Sequence, residues 1–198
     1  MNYLLIDTNP RMVEAWRDFF KEEENVKIYE GDLCKVTCDA IVSPANSFGF
    51  MDGGVDYAIS ERLGWDLQVK LQQKIRALPE KELLIGKAMV IQTKDDRIPY
   101  LISAPTMRVP MSFQISRSIN AYLAMKAVLI EAIQHEKINT VAIPGFCTGV
   151  GKMSPIISAR QMYFAFKEIE KKETPDIKNF SDAQKYQWEI NPQGMIHE

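Results

Sequence analysis

Six short apolar runs punctuate the chain, and four of them lead into segments whose apolar residues recur at helical spacing. The runs are Tyr3–Ile6, Val26–Tyr29, Ala40–Val42, Ala88–Thr93, Tyr100–Ala104 and Thr140–Ile143. Strands interleaved with amphipathic helices fold as an α/β layered domain, with a mostly parallel sheet between two helical layers. At 198 residues the chain suits one such domain.

Helix starts are written into several junctions. Asn9-Pro10 places a capping amide before a proline at the first helical position, ahead of Met12, Val13, Trp16 and Phe19 at helical spacing. Helices are expected from Val55 towards Arg62, over Asp66–Leu78, and from Ser154-Pro155 onward. A long one is expected with Ser112 as its cap and Ile115, Ile119, Tyr122, Leu123, Met125, Leu129 and Ile133 on its buried side. The domain is expected to occupy residues 1–172. Within it, Met1–Glu24 adds an edge strand and a helix, and 173–198 forms a polar tail in which Trp188 docks on the body or serves a partner.

Apolar residues at 46%, charged residues at 25% and a net charge of −2 exclude a disordered chain and a protein that gathers nucleic acid through a general basic field. An anion must instead be caught by local groups. The first residues lack the basic and apolar blocks of a secretory leader, and no apolar run is long enough to span a bilayer. Three cysteines (Cys34, Cys38 and Cys147) suit a reducing compartment, so a cytoplasmic location without membrane contact is expected. Cys34, Cys38, His135 and His197 do not make a four-ligand zinc set, and neither metal nor cofactor is expected.

In open α/β sheets ligands bind beyond the carboxyl ends of the strands. Three polar or glycine-rich segments belong there: Gly31-Asp32, Ser43–Gly54 and Gly145–Gly151. In the last, three glycines in seven residues allow positive φ and let successive N–H groups converge on an anion, before the positive end of a helix. It is not a Walker loop, because Lys152 precedes Met153 rather than a hydroxyl, and it lacks the GxGxxG spacing of dinucleotide folds. Cys147 within it is a space-filling residue or an amide-stabilised thiolate. Asn46 brings a carboxamide that can bond sugar hydroxyls, and Gly53-Gly54 opens a helix with free N–H groups. Asp56, in the first turn of that helix, is either a partner of the helix dipole or a reactive acid. Ala104–Pro110 follows a strand and is placed to line the same cleft, with Arg108 either meeting a phosphate or lying on the surface.

Gly31-Asp32-Leu33, Asp39–Asn46, Gly53-Gly54-Val55-Asp56 and Thr148-Gly149-Val150-Gly151, in that order, resemble the macro domain family over roughly Val26 to Lys171. The resemblance implies a three-layer α/β/α sandwich and a cleft for ADP-ribose. It implies that Asp32 accepts the adenine amine, Leu33 covers the base, and Gly53, Gly54 and Val55 face Thr148, Gly149, Val150 and Gly151 across the diphosphate. Asn46 then holds the distal ribose, and Asp56 takes the place of the acid that positions water in hydrolytic members. The implied activity is hydrolysis of an ADP-ribosyl ester, on an acidic side chain or in O-acetyl-ADP-ribose. The alternatives are a reader that binds ADP-ribose or ADP-ribosylated protein without turnover, and a general nucleotide or RNA sensor. Two positions depart from the family pattern. Gly151 stands where hydrolytic members carry an aromatic, and Ser43 where an asparagine is usual. Both favour binding over turnover, unless Phe48, Phe50 or Phe146 supplies the ring.

Overall fold

The computed structural model describes residues 1–111 and 115–194. In chain order the strands are β1 (Asn2–Asp7), β2 (Val26–Glu30), β3 (Ala40–Ser43), β4 (Met89–Asp95), β5 (Ile98–Ser103) and β6 (Thr140–Ile143). The helices are α1 (Pro10–Phe20), α2 (Gly54–Leu63), α3 (Asp66–Ala77), α4 (Asn120–Gln134), α5 (Pro155–Ile169) and α6 (Phe180–Ile190). A short 3₁₀ turn covers Leu33–Lys35.

The strands form one sheet in the order β2-β1-β6-β3-β5-β4, parallel throughout except for the antiparallel β4–β5 pair. Side chains alternate between its faces, as the pleat requires. Tyr3, Leu5, Val42, Ile102, Val141 and Ile143 pack with Met12, Trp16, Val128, Leu129 and Phe166 of α1, α4 and α5. Ile6, Ile41, Leu101 and Ala142 pack the other way, against Ile59, Leu67, Leu71 and Ile75 of α2 and α3. These are the three layers, with a core on each side of the sheet.

Strand and helix positions follow the apolar pattern closely, with three differences. First, β1 is not an edge strand. It lies between β2 and β6, pairing Tyr3 with Val26 on one side and with Val141 on the other, so β2 forms the edge. Second, α4 begins at Asn120, eight residues after Ser112, which itself lies outside the described residues. Ile115 and Ile119 fit the helical spacing, but the Ile115 N–H bonds Gly151 O and the Ser118 N–H bonds Ile115 O, which makes a turn instead of a helical start. Ser118 Oγ then accepts the Asn120 N–H at the helix entry. Third, the stretch after Glu173 is not merely a polar tail. It contains α6, capped by Asn179, whose side chain accepts the Asp182 N–H. Few apolar residues mark this helix because only its end is deeply buried, at Ile190 and Asn191.

The loop from β3 to α2 is clamped onto the α3 layer. Gly49 has φ +70°, and a Cβ there would lie 2.9 Å from Ile75 Cδ1 and 3.0 Å from Leu71 Cγ. Gly49→Ala combines left-handed strain with overpacking, and is expected to destabilise the fold by about 2–4 kcal/mol in urea unfolding. A loss under roughly 0.5 kcal/mol would show that this loop is not clamped.

Candidate functional site

The parallel strands deliver their carboxyl ends to one edge of the sheet, and a cleft of about 490 Å³ lies there. One wall is the start of α2. Gly53 is extended (φ −141°, ψ 149°) and Gly54 takes φ +55°, a conformation that favours glycine. The N–H groups of Gly54, Val55 and Asp56 belong to a first helical turn and have no intrahelical acceptor. With the helix dipole they form an anion site.

The opposite wall is the Gly145–Gly151 loop, and its glycines have a different purpose from the one expected. None of the three has positive φ; the left-handed residues are Cys147 (φ 63°) and Lys152 (φ 54°). Gly145 and Gly151 are required by space. A Cβ on Gly145 would lie 2.7 Å from Asp7 Oδ2 and 2.9 Å from Met12 Cγ, and one on Gly151 would lie 2.7 Å from Cys147 O and 2.8 Å from Ile115 Cδ1. The wall is therefore shaped by close backbone approach. Gly145 N–H donates to Asp7 Oδ2, and Met153 N–H to Cys147 O. Among the described residues no protein acceptor takes the N–H of Thr148, Gly149, Val150 or Gly151. Burial pushes the Cys147 thiol up to about 12, which makes it a neutral space-filler rather than a thiolate.

The floor holds the titratable group. Asp56 is 8% exposed, and its Oδ1 accepts a hydrogen bond from Ser43 Oγ at the end of β3. Burial lifts its carboxyl to about 6; the nearby Asp52 charge adds to the rise and the Ser43 hydroxyl opposes it. Ser43, a departure from the family pattern, is thus the hydrogen-bond donor to this acid. Asn46 also lines the cleft, but its carboxamide serves the loop. Oδ1 accepts the N–H groups of Phe48 and Phe50, and Nδ2 donates to Phe50 O at 2.7 Å. One amide hydrogen of Asn46 remains for a ligand.

The structure brings together Asn46, Gly53, Gly54, Val55, Asp56, Thr148, Gly149, Val150 and Gly151 around this cleft. Asp32 and Leu33 are not among its lining residues. Asp32 lies in a second concavity with Arg97 and with Tyr57, Glu61 and Arg62 of α2. Its Oδ1 caps the 3₁₀ turn by accepting the Cys34 N–H at 2.9 Å, and Leu33 is buried. Of the three candidate rings, Phe146 is in the core and Phe48 lies under the Arg108 guanidinium, while Phe50 lines the cleft at 52% exposed. Arg108 meets Glu82 at 2.7 Å and is not a cleft residue. Thr106, Met107 and Pro110 do line the cleft, as the position of their segment implied. Asp7 and Asn9, at the carboxyl end of β1, were missed; the same strand-end rule that selected the other segments applies to them. Among the described residues no cluster of three or more His, Cys, Asp or Glu is arranged to hold a metal ion.

The raised Asp56 carboxyl has a consequence for stability. An acid whose folded value (about 6) exceeds its unfolded value contributes stability below the unfolded value, and that stability is lost as pH rises through 6. Asp56→Asn, neutral at every pH, is expected to exceed the wild type in stability above pH 6 by up to roughly 3 kcal/mol. The gap should close below about pH 4. Parallel urea titrations across that range check it, and a gap that does not change with pH would refute the buried-acid assignment.

Comparison with known proteins follows the same geometry. A macro domain family model matches residues 42–162, which span β3 to most of α5. A protein of unassigned function from Aquifex aeolicus is 32% identical over 148 residues, covering 75% of this chain and 84% of its own. The ADP-ribose glycohydrolase MACROD1 of Mus musculus is 30% identical over 132 residues, 64% of this chain and 37% of that protein. Among solved structures, the Oceanobacillus iheyensis macrodomain with ADP aligns with a TM-score of 0.59 at 21% identity, over 81% of this chain and 86% of that one. With a family model matched over more than half its length, this chain belongs to the macro domain family.

Proposed function

We propose that the cleft binds ADP-ribose, free or attached to a protein, and hydrolyses an ADP-ribosyl ester. The carrying observation is the buried Asp56 carboxyl, held by Ser43 at the foot of a cleft between two walls of backbone N–H groups. A diphosphate between those walls receives the N–H groups of α2 on one side and of Thr148–Gly151 on the other. The distal ribose then lies towards Asn46, with Phe50 as its apolar wall. This ring substitutes for the aromatic that Gly151 has no room to become. Water attacks the anomeric carbon, the bond from that carbon to the ester oxygen breaks, and the target side chain leaves as a carboxylate. The ionised Asp56 takes the proton from the water. A value near 6 suits this role, because the group is mostly ionised at neutral pH yet is still a useful proton acceptor.

The non-catalytic reader remains a second reading on one observation: the Asn46 carboxamide is largely committed to its own loop. The two part on incubation with a peptide ADP-ribosylated on glutamate. The hydrolase reading expects release by the wild type, and at least a 100-fold slower rate in Asp56→Ala with ADP-ribose affinity retained. Binding without release establishes the reader instead.

Two further outcomes are expected. The wild-type rate should fall as pH drops through about 6, and Ser43→Ala should move that midpoint up by roughly one unit, since it removes the donor that favours the charged form. A uniform loss at every pH would assign Ser43 to packing alone. Asp32→Ala should weaken ADP-ribose binding by about 1–3 kcal/mol if the adenine reaches the second concavity; unchanged calorimetric affinity would put the base elsewhere.

A further inference from the structure

Helix α6 lies beyond the residues matched by the family model, yet its end is built into the molecule. It docks on α5 through Tyr186, whose hydroxyl donates to Glu168 and whose ring lies 5.9 Å from Phe164. Arg160 Nε donates to Glu189 O, and Ile190 is buried. The next residue, Asn191, is fully buried, and its Nδ2 spends both hydrogens on one turn: 2.9 Å to Ser116 O and 2.7 Å to Ser118 O. Its Oδ1 accepts the Gln193 N–H, and Gly194 presses so close that a Cβ would lie 2.8 Å from Arg117 O.

The gripped turn also touches the cleft wall. Ile115 N–H donates to Gly151 O at 3.0 Å, and the Ile115 side chain fills the space where a Gly151 Cβ would be. A continuous set of contacts therefore runs from Asn191, through Ile115–Ser118, to Gly151. Binding loops are drawn from the less stable parts of a fold, and holding one in its binding shape before the ligand arrives lowers the cost of association.

We propose that α6 is a strut of the nucleotide cleft, with Asn191 as a positioning residue that holds the Gly145–Gly151 wall through the Ile115–Ser118 turn. The binding arm of this proposal rests on the ADP-ribose reading given above; the mechanical arm does not. Nothing in it requires turnover.

The test compares the wild-type chain with Asn191→Ala, Asn191→Asp, Gly194→Ala and Phe180→Ala, by amide hydrogen exchange and by ADP-ribose calorimetry well below the unfolding temperature. Asn191→Ala removes the donor to Ser116 O and one of the two donors to Ser118 O, which Gln161 Nε2 also reaches at 2.9 Å. It is expected to speed exchange at Ile115 and at Lys152 and Met153, whose N–H groups bond Gly149 O and Cys147 O within the wall, and to weaken ADP-ribose binding by roughly tenfold. Asn191→Asp should act in the same direction, since it puts a carboxylate against those carbonyls. Gly194→Ala, which pushes on the same turn without removing a bond, should give a smaller shift and serves if the Asn191 variants do not fold. Phe180→Ala, at the exposed start of α6, should match the wild type in both measurements. Unchanged exchange at Ile115, Lys152 and Met153 in the folded variants would overturn the strut. So would unchanged affinity despite faster exchange, because a merely structural helix lowers thermal stability without altering the cleft. A wild type that does not bind ADP-ribose overturns the functional reading alone, and the exchange rates still decide the mechanical claim.

Discussion

The carboxyl of Asp56 is pulled two ways. It sits in the first turn of α2, where the free N–H groups and the helix dipole favour a negative charge by about 0.3–2 kcal/mol. It is also a buried group, and losing water disfavours the same charge. A value near 6 shows that enclosure wins, even with the Ser43 hydroxyl donating to the ionised oxygen. Much of the surrounding architecture follows from keeping an acid in that position. β3 must end on a small donor, α2 must start beside it, and the connecting loop must fold back against α3 so that Gly53 and Gly54 can open the helix at the right level.

The two walls of the cleft meet one requirement, backbone amides facing the same space, by different means. On the α2 side a left-handed Gly54 breaks into a helix and exposes its first turn. On the other side a left-handed Cys147, neutral and buried, turns the loop, while glycines admit neighbours that any side chain would displace. Asp7 fixes the start of that loop by accepting the Gly145 N–H, and the Asn9 N–H binds its other oxygen. A chain with a net charge of −2 can thus present a site for an anion without assembling a cluster of basic side chains there.

Most of the fold was legible because its inner strands are short apolar runs largely buried on both faces, and Asn9-Pro10 and Ser154-Pro155 mark their helices chemically. The site was legible where the backbone itself is the functional group, at Gly53-Gly54 and Thr148–Gly151. It was not legible where a residue acts through a partner distant in sequence. Ser43 read as a loss relative to the family pattern because its partner is 13 residues away, across a strand-to-helix connection. Gly151 read as permissive, but the Cys147 carbonyl and Ile115, on another segment, together forbid a side chain there. The false start of α4 at Ser112 has a similar origin: Ile115 and Ile119 repeat at helical spacing, and only the bond from Ile115 to Gly151 diverts the chain into a turn. Asn191, a lone amide in a polar stretch, gave no local sign that it would be fully enclosed.

The interior placement of β1 bears on how the chain reaches its native state. Its neighbour β6 is 138 residues away by register, with Tyr3 opposite Val141 and Leu4 opposite Ala142. Only β2, on the other side, is nearby in sequence. During synthesis the β1–α1–β2 unit can associate locally, but its β6-facing edge stays open until Thr140–Ile143 has emerged. Joining such distant strands has a large entropic cost before any contact offsets it, so closure of the β1–β6 seam should limit the rate of folding. The same seam unites the Asp7 end of β1 with Gly145, and the cleft beside them therefore takes shape late, when β6 joins β1.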